Sequence, residues 1–172
     1  MTGVGARASG IVVEDASGSG RVPDGAVELL RRLGGHVKHR LHLGEAVEVA
    51  ITLIDDEQMA ALHEDWLDLP GTTDVMSFPM DELRAGTAEE PVAAGMLGDV
   101  VISPDVAARQ AAEAGHDTDD ELALLAVHGM LHLLGHDHAE EAERRRMFAL
   151  QTELLTGFLG RPAPTPTTGT DA

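Results

Sequence analysis

Read for its apolar periodicity, the chain alternates between β-branched runs and helix-spaced runs. IVVED (11–15) and VEVAITLID (47–55) predict two strands, and DVMSFPMD (74–81) and MLGDVVIS (96–103) predict two more. The acidic, Gly- and Pro-containing segment ELRAGTAEEP (82–91) between the last two is the expected mobile loop. Helical spacing fills the intervals. DGAVELLRRLGGHVKHRLHL (24–43) is the first helix, and Asp55 with Gln58 in capping-box register opens the second, which Pro70-Gly71 stops. Ser103-Pro104 opens a third that Gly115 ends, Thr118 to Glu121 reads as the capping box of a fourth, and EEAERRRMFALQTELLTGFL (140–159) is a fifth with an acidic start. About four strands and about five helices without a strict repeat predict an α+β fold, a small mixed β-sheet packed with helices.

One run departs from amphipathic patterning. From Leu122 to Leu134 nothing is charged and apolar residues occupy every side, so the fourth helix is predicted to be buried. It nevertheless carries His128 and His132, and His136 and His138 follow at once. A spacing of four puts the first two imidazoles on one helical face, about 6 Å apart along the axis, where they can grip one cation. Unpaired, each would cost about 1–3 kcal/mol of desolvation. Gly135 stands where a left-handed glycine ends a helix and turns the chain back toward His138. The string is HxxxHxxGxxH, the ligand spacing of the metzincin zinc proteases, and three nitrogen ligands with an open fourth position are a catalytic arrangement. The proteases carry a glutamate base at the position of Gly129, so peptide hydrolysis by that route is lost. A glycine inside a helix costs about 1 kcal/mol relative to alanine, which points either to close helix packing or to a substrate passing nearby.

Composition narrows the choice of chemistry. At 172 residues and 43% hydrophobic, the chain supports one core, expected at 10–160 as a single metal-dependent hydrolase domain, with 1–9 and the tail RPAPTPTTGTDA (161–172) disordered. There is no cysteine, which excludes disulfides, zinc knuckles and thiol nucleophiles and leaves His, Asp and Glu as metal ligands. Neither a basic-then-apolar leader nor a membrane-length apolar run is present, so a cytoplasmic location without membrane contact is expected. The formal charge of -18 repels nucleic acid at long range, a point against any RNA-directed function.

HGMLHLLGHDH (128–138) resembles the HGxLHLxGYDH signature of the YbeY-type bacterial endoribonucleases. TDVMSFPMDE (73–82) is similar to that family's TNVLSFP stretch, and LGDVVIS (97–103) matches at the corresponding distance before the histidines. The resemblance covers roughly 25–160 and implies a zincin-like metal helix, one Zn2+ per chain and ligands His128, His132 and His138. It also implies a single-strand-specific endoribonuclease acting in 3′-end maturation of small-subunit ribosomal RNA and in ribosome quality control. The partners so implied are ribosomal RNA and the small ribosomal subunit, with no DNA. Two positions depart from the family: His136 replaces a tyrosine, as ring for ring or as an alternative ligand or proton donor, and Leu67 replaces an arginine thought to contact RNA or assist catalysis.

Asp74, Ser77 and His136 are candidate substrate-binding residues; Asp74, Ser77 and Asp137 could equally cap a turn or orient a ligand histidine. HVKHRLH (36–42) reads as a solvated face or an RNA-contacting ridge, and Arg144-Arg145-Arg146 as charges balanced by Glu140, Glu141 and Glu143. Two other functions compete with phosphodiester hydrolysis. One is a zinc protease or amidase with its base relocated to Asp74 or Asp137; the other is a ribosome assembly factor with a structural metal. A positive cleft at the metal would favour direct RNA cleavage.

Overall fold

The computed structural model describes residues 10–18, 20–69 and 71–166. The expected disorder of 1–9 and 167–172 and the Pro70 half of the predicted helix stop lie outside these residues. The elements run β1 (Ile11–Asp15), α1 (Ala26–Arg40), β2 (Leu43–Leu53), α2 (Asp56–Leu67), β3 (Val75–Pro79), β4 (Val92–Ile102), α3 (Pro104–Ala114), α4 (Thr118–Leu133) and α5 (Glu141–Leu159). The sheet order is β1-β2-β4-β3, with β1 and β4 parallel to β2 and β3 antiparallel to β4. This is the expected α+β architecture of four mixed strands and five helices. No helix among the described residues is long and apolar enough to cross a membrane.

Alternation decides which sheet face is covered. Ile11, Val13, Val47, Val49, Ile51 and Leu53 point into one core with Val100 and Ile102, while Val12, Met80 and Met96 remain exposed on the other side. Leu97 and Val100 are three residues apart and both fully buried, because a register shift between Met96 and Gly98 interrupts the pleat there. α1 covers β1 and β2, and α4 crosses β3 and β4 with α1, α3 and α5 packed around it. α4 is buried continuously from Asp120 to Leu131, as its unpatterned apolar sequence requires.

Local signals set most boundaries. Asp55 accepts from the Gln58 backbone N–H while the Gln58 side chain accepts from the Asp55 N–H, and Ser103 caps α3 with Pro104 in its first turn. The start of α4 corrects the sequence reading: Thr118 and Glu121 form no capping box, and the N-cap is Asp117 without a side-chain cap bond. Glu121 is instead fully buried, with Oε1 2.6 Å from Nε2 of His116, which lies just before the helix. Burial raises its carboxyl pKa. β2 and β4 also begin earlier than predicted, since pairing from Leu43 with Val92 carries Ala93, Ala94 and Gly95 into a ladder their own propensity does not favour. α1 ends at Arg40, short of the predicted Leu43, where His42 turns to φ 56 and β2 begins.

HVKHRLH is neither a free face nor a bare ridge. His36 packs on Phe158, Lys38 is buried and donates to the Glu45 carbonyl, and Arg40 pairs with Glu153 at 2.9 Å. The 82–91 segment is fastened where Leu83 packs on the core, Gly86 N–H donates to the Leu41 carbonyl and Thr87 and Glu90 bond each other. At the other end of the chain, Arg161 grips both oxygens of Asp120 at 2.8 and 3.1 Å.

At Gly129, α4 approaches the sheet closely. A Cβ built there would lie 2.6 Å from Val100 Cγ1 and 3.2 Å from Ser77 Oγ, so tight packing accounts for the glycine. Ser77 Oγ donates to the Gly129 carbonyl at 2.9 Å, tying β3 to the helix. Overpacking costs about 1–3 kcal/mol, against roughly 1 kcal/mol gained from helix propensity. We therefore expect Gly129→Ala to lower the thermal midpoint, and to cost less in a Val100→Ala background than alone. Equal costs in the two backgrounds, measured by denaturant titration, would show that this contact is not the reason for the glycine.

Candidate metal centre

The C-terminal half of α4 supplies His128 and His132 one turn apart. Beyond Leu133 the helix closes in a Schellman turn: Gly135 takes φ 94, its N–H donates to the His132 carbonyl, and the His136 N–H donates to Leu131. That reversal returns His138 to the other two. The ring centroids of the three histidines stand 4.7, 5.2 and 5.7 Å apart, and one nitrogen from each lies within 4.8 Å of the others.

His128 is fully buried, and the other two are partly exposed. His128 Nδ1 donates to Gln151 Oε1 on α5 at 3.0 Å, which leaves Nε2 as the lone-pair nitrogen, and that atom is 3.2 Å from His132 Nε2. Burial, then the neighbouring His128 and His138, lowers the His132 pKa to about 4, so its ring is neutral near pH 7. His138 Nε2 is buried without a hydrogen-bond partner. Two ring nitrogens in near contact and a third left orphaned form a ligand set that a cation could satisfy, and three imidazoles suit zinc and its neighbours better than magnesium or calcium.

The other candidates are placed differently. Ser77 lines a cleft that reaches His132, so it stands beside the triad. Asp74 is buried, with Oδ2 3.3 Å from Gln110 Nε2, and interacts with Glu121 in the first turn of α4, far along that helix from the histidines. Asp137 accepts from the His138 backbone N–H at 2.7 Å. His136 is half-buried, and its pKa is lowered by that burial and then by the positive charges of Arg84 and Arg146.

Sequence reasoning missed three of these neighbours. Gln151 occupies an apolar register of α5, between Met147 and Leu154, and a polar residue at that spacing was the available signal. Arg84 comes from the acidic loop and reaches over Gly135, where a Cβ would lie 2.5 Å from its guanidinium carbon. Arg146 is not balanced by the glutamates of its own helix. Among the described residues neither Arg84 nor Arg146 has a carboxylate partner, and Arg144 sits over the Phe148 ring at 6.0 Å. Two cations without a carboxylate partner, Arg84 and Arg146, thus stand beside His136 at the end of the histidine string.

A family model described as Endoribonuclease YbeY matches residues 15–159. The chain is 58% identical to Endoribonuclease YbeY of Micrococcus luteus, over 91% of this chain and 98% of that protein. It is 55% identical to the protein of the same name from Renibacterium salmoninarum, over 81% of this chain and 88% of that one. The solution structure of a Thermotoga maritima protein, 22% identical, shares the fold with a TM-score of 0.58 and covers 87% of this chain and 89% of its own. With the histidine string, its two flanking blocks and these matches in agreement, the chain belongs to the YbeY family of endoribonucleases, hydrolases that act on RNA.

Proposed function

We propose that His128, His132 and His138 hold one zinc ion, and that the protein uses it to cut single-stranded ribosomal RNA of the small subunit in the cytoplasm, in 3′-end maturation and ribosome quality control. The observation that carries this reading is the meeting of three imidazole nitrogens within 4.8 Å beside an open cleft. Three protein ligands leave a fourth position for chemistry, whereas structural zinc is closed by four. The chemistry such an ion supplies is polarisation of a phosphoryl oxygen and activation of a water nucleophile.

The chain's own residues prepare for that step. Gln151 holds the His128 tautomer, and the burial of His132 keeps its lone pair unprotonated near neutral pH. Arg84 and Arg146 place positive charge beside His136, where a phosphate would approach the site, against the acidic exterior. Gly129 offers no carboxylate, and its face of the helix is pressed against Val100, so a glutamate there could not serve the cleft. Asp74 and Asp137, the carboxylates a protease or amidase would recruit, are held by Gln110 and by the His138 backbone. These placements favour phosphodiester over peptide hydrolysis.

Incubation of the purified protein with single-stranded RNA, its perfect duplex and casein tests this assignment. Cleavage of the single strand alone, abolished by chelator and restored by zinc, is expected, with a shallow salt dependence because few phosphates are neutralised. Casein hydrolysis without RNA cleavage would overturn it. Metal content of purified variants tests the ligand set: His138→Ala should lose metal, while His136→Tyr should keep nearly all of it. Gln151→Leu should weaken metal affinity by about 10- to 100-fold with the fold intact, read by competition with a chelating dye. Unchanged affinity would remove Gln151 from its orienting role.

A further inference from the structure

Trp66 is the chain's one tryptophan and is 66% exposed. Its position is defined all the same. α2 ends one residue later, and Asp68 adopts φ 55, which leaves the ring over the edge strand β3. There the Phe78 ring meets it edge-on, with centroids 5.3 Å apart. A cavity of about 370 Å³ runs from Trp66 past Met76, Phe78 and Pro79 to His132. On the other side of the same aromatic pair, a groove of about 650 Å³ continues over the open sheet face toward Leu62 and Val101. Both volumes fall in the range of small-molecule sites.

The chemistry of the first cavity is that of a π-face. Its wall beside Trp66 is Leu67, and the Ser77 hydroxyl is already bonded to the Gly129 carbonyl, so little remains to read the edge of a base. Exposed indole next to apolar carbon suits a flat, unsaturated ring and is indifferent to which base supplies it. We infer that Trp66 is a base-stacking platform: a nucleobase of the RNA strand lies against its ring in the cavity that ends at His132, next to the phosphate being cut. The inference rests on the proposed ribonuclease reading, and it identifies the residue that selects single strands. A base in a duplex has both faces stacked and its edge paired, and reaching Trp66 would require extracting it from the helix.

A lone indole makes the site directly observable, since all tryptophan fluorescence comes from Trp66. In stopped-flow mixing of zinc-loaded protein with a short single-stranded RNA, we expect a saturable quench before any cleavage, and none with the same sequence as a duplex. Trp66→Ala should raise KM for the single strand about tenfold, with metal content and thermal midpoint unchanged, and Trp66→Phe should recover most of that loss. An abasic nucleotide at the stacking position should cost the native protein a comparable factor and Trp66→Ala almost nothing. Cleavage without a quench, or an abasic cost equal in both proteins, would overturn the inference, as would a quench by a casein peptide but not by RNA. A quench by RNA without cleavage would leave the base site standing and defeat the catalytic reading, and the absence of both would defeat the two together.

Discussion

Three imidazoles, one fully buried and two partly, have to be brought together without any of them losing more in desolvation than it gains in partners, and the structure is arranged around that demand. A buried, unpatterned helix is the means, because α4 can bring His128 and His132 to one face only if its other faces are occupied by sheet and helices. Each neighbouring element then makes a specific concession. Val100 and Ser77 of the sheet approach so closely that a side chain at position 129 would force them aside, and α5 gives up an apolar register position to Gln151 so that the His128 Nδ1–H has an acceptor. The Schellman turn at Gly135 completes the set by reversing the chain within a few residues, which no continuing helix could do.

Charge follows a similar division between local and global. A net charge of -18 sets a field hostile to RNA at a distance, and among the described residues five arginines elsewhere are held in ion pairs with Glu28, Asp56, Asp105, Asp120 and Glu153. Arg84 and Arg146 stand beside the half-buried His136, where short range makes a charge count for more than distant, screened exterior charge does. An acidic protein can thus hold a small positive mouth, and its affinity for RNA would come from a few contacts rather than a broad basic surface.

The parts legible in the sequence are those whose cause is local. Capping at Asp55 and Ser103, strand alternation, the uncharged run of α4 and the glycine at 135 each express a rule acting within a few residues, and each reappears in the fold. What escaped notice depends on residues distant in the chain. Ala93 and Ala94 joined a strand through the ladder offered by β2, and Arg84 reached the site from a loop read as acidic and mobile. The histidine string identified the three clustered imidazoles, while the groups placed beside them, Gln151 and the two arginines, came into view only with tertiary packing.

The coordination of the bound ion itself tests the account most directly. X-ray absorption at the zinc edge of the purified, zinc-loaded protein should show three imidazole nitrogens at about 2.0–2.1 Å together with a non-protein oxygen, as expected of an open catalytic site. Each of His128→Ala, His132→Ala and His138→Ala should lose one nitrogen from that shell or the metal altogether. A closed shell of four protein ligands, or an unchanged three-nitrogen spectrum after removal of any one of the three histidines, would contradict it.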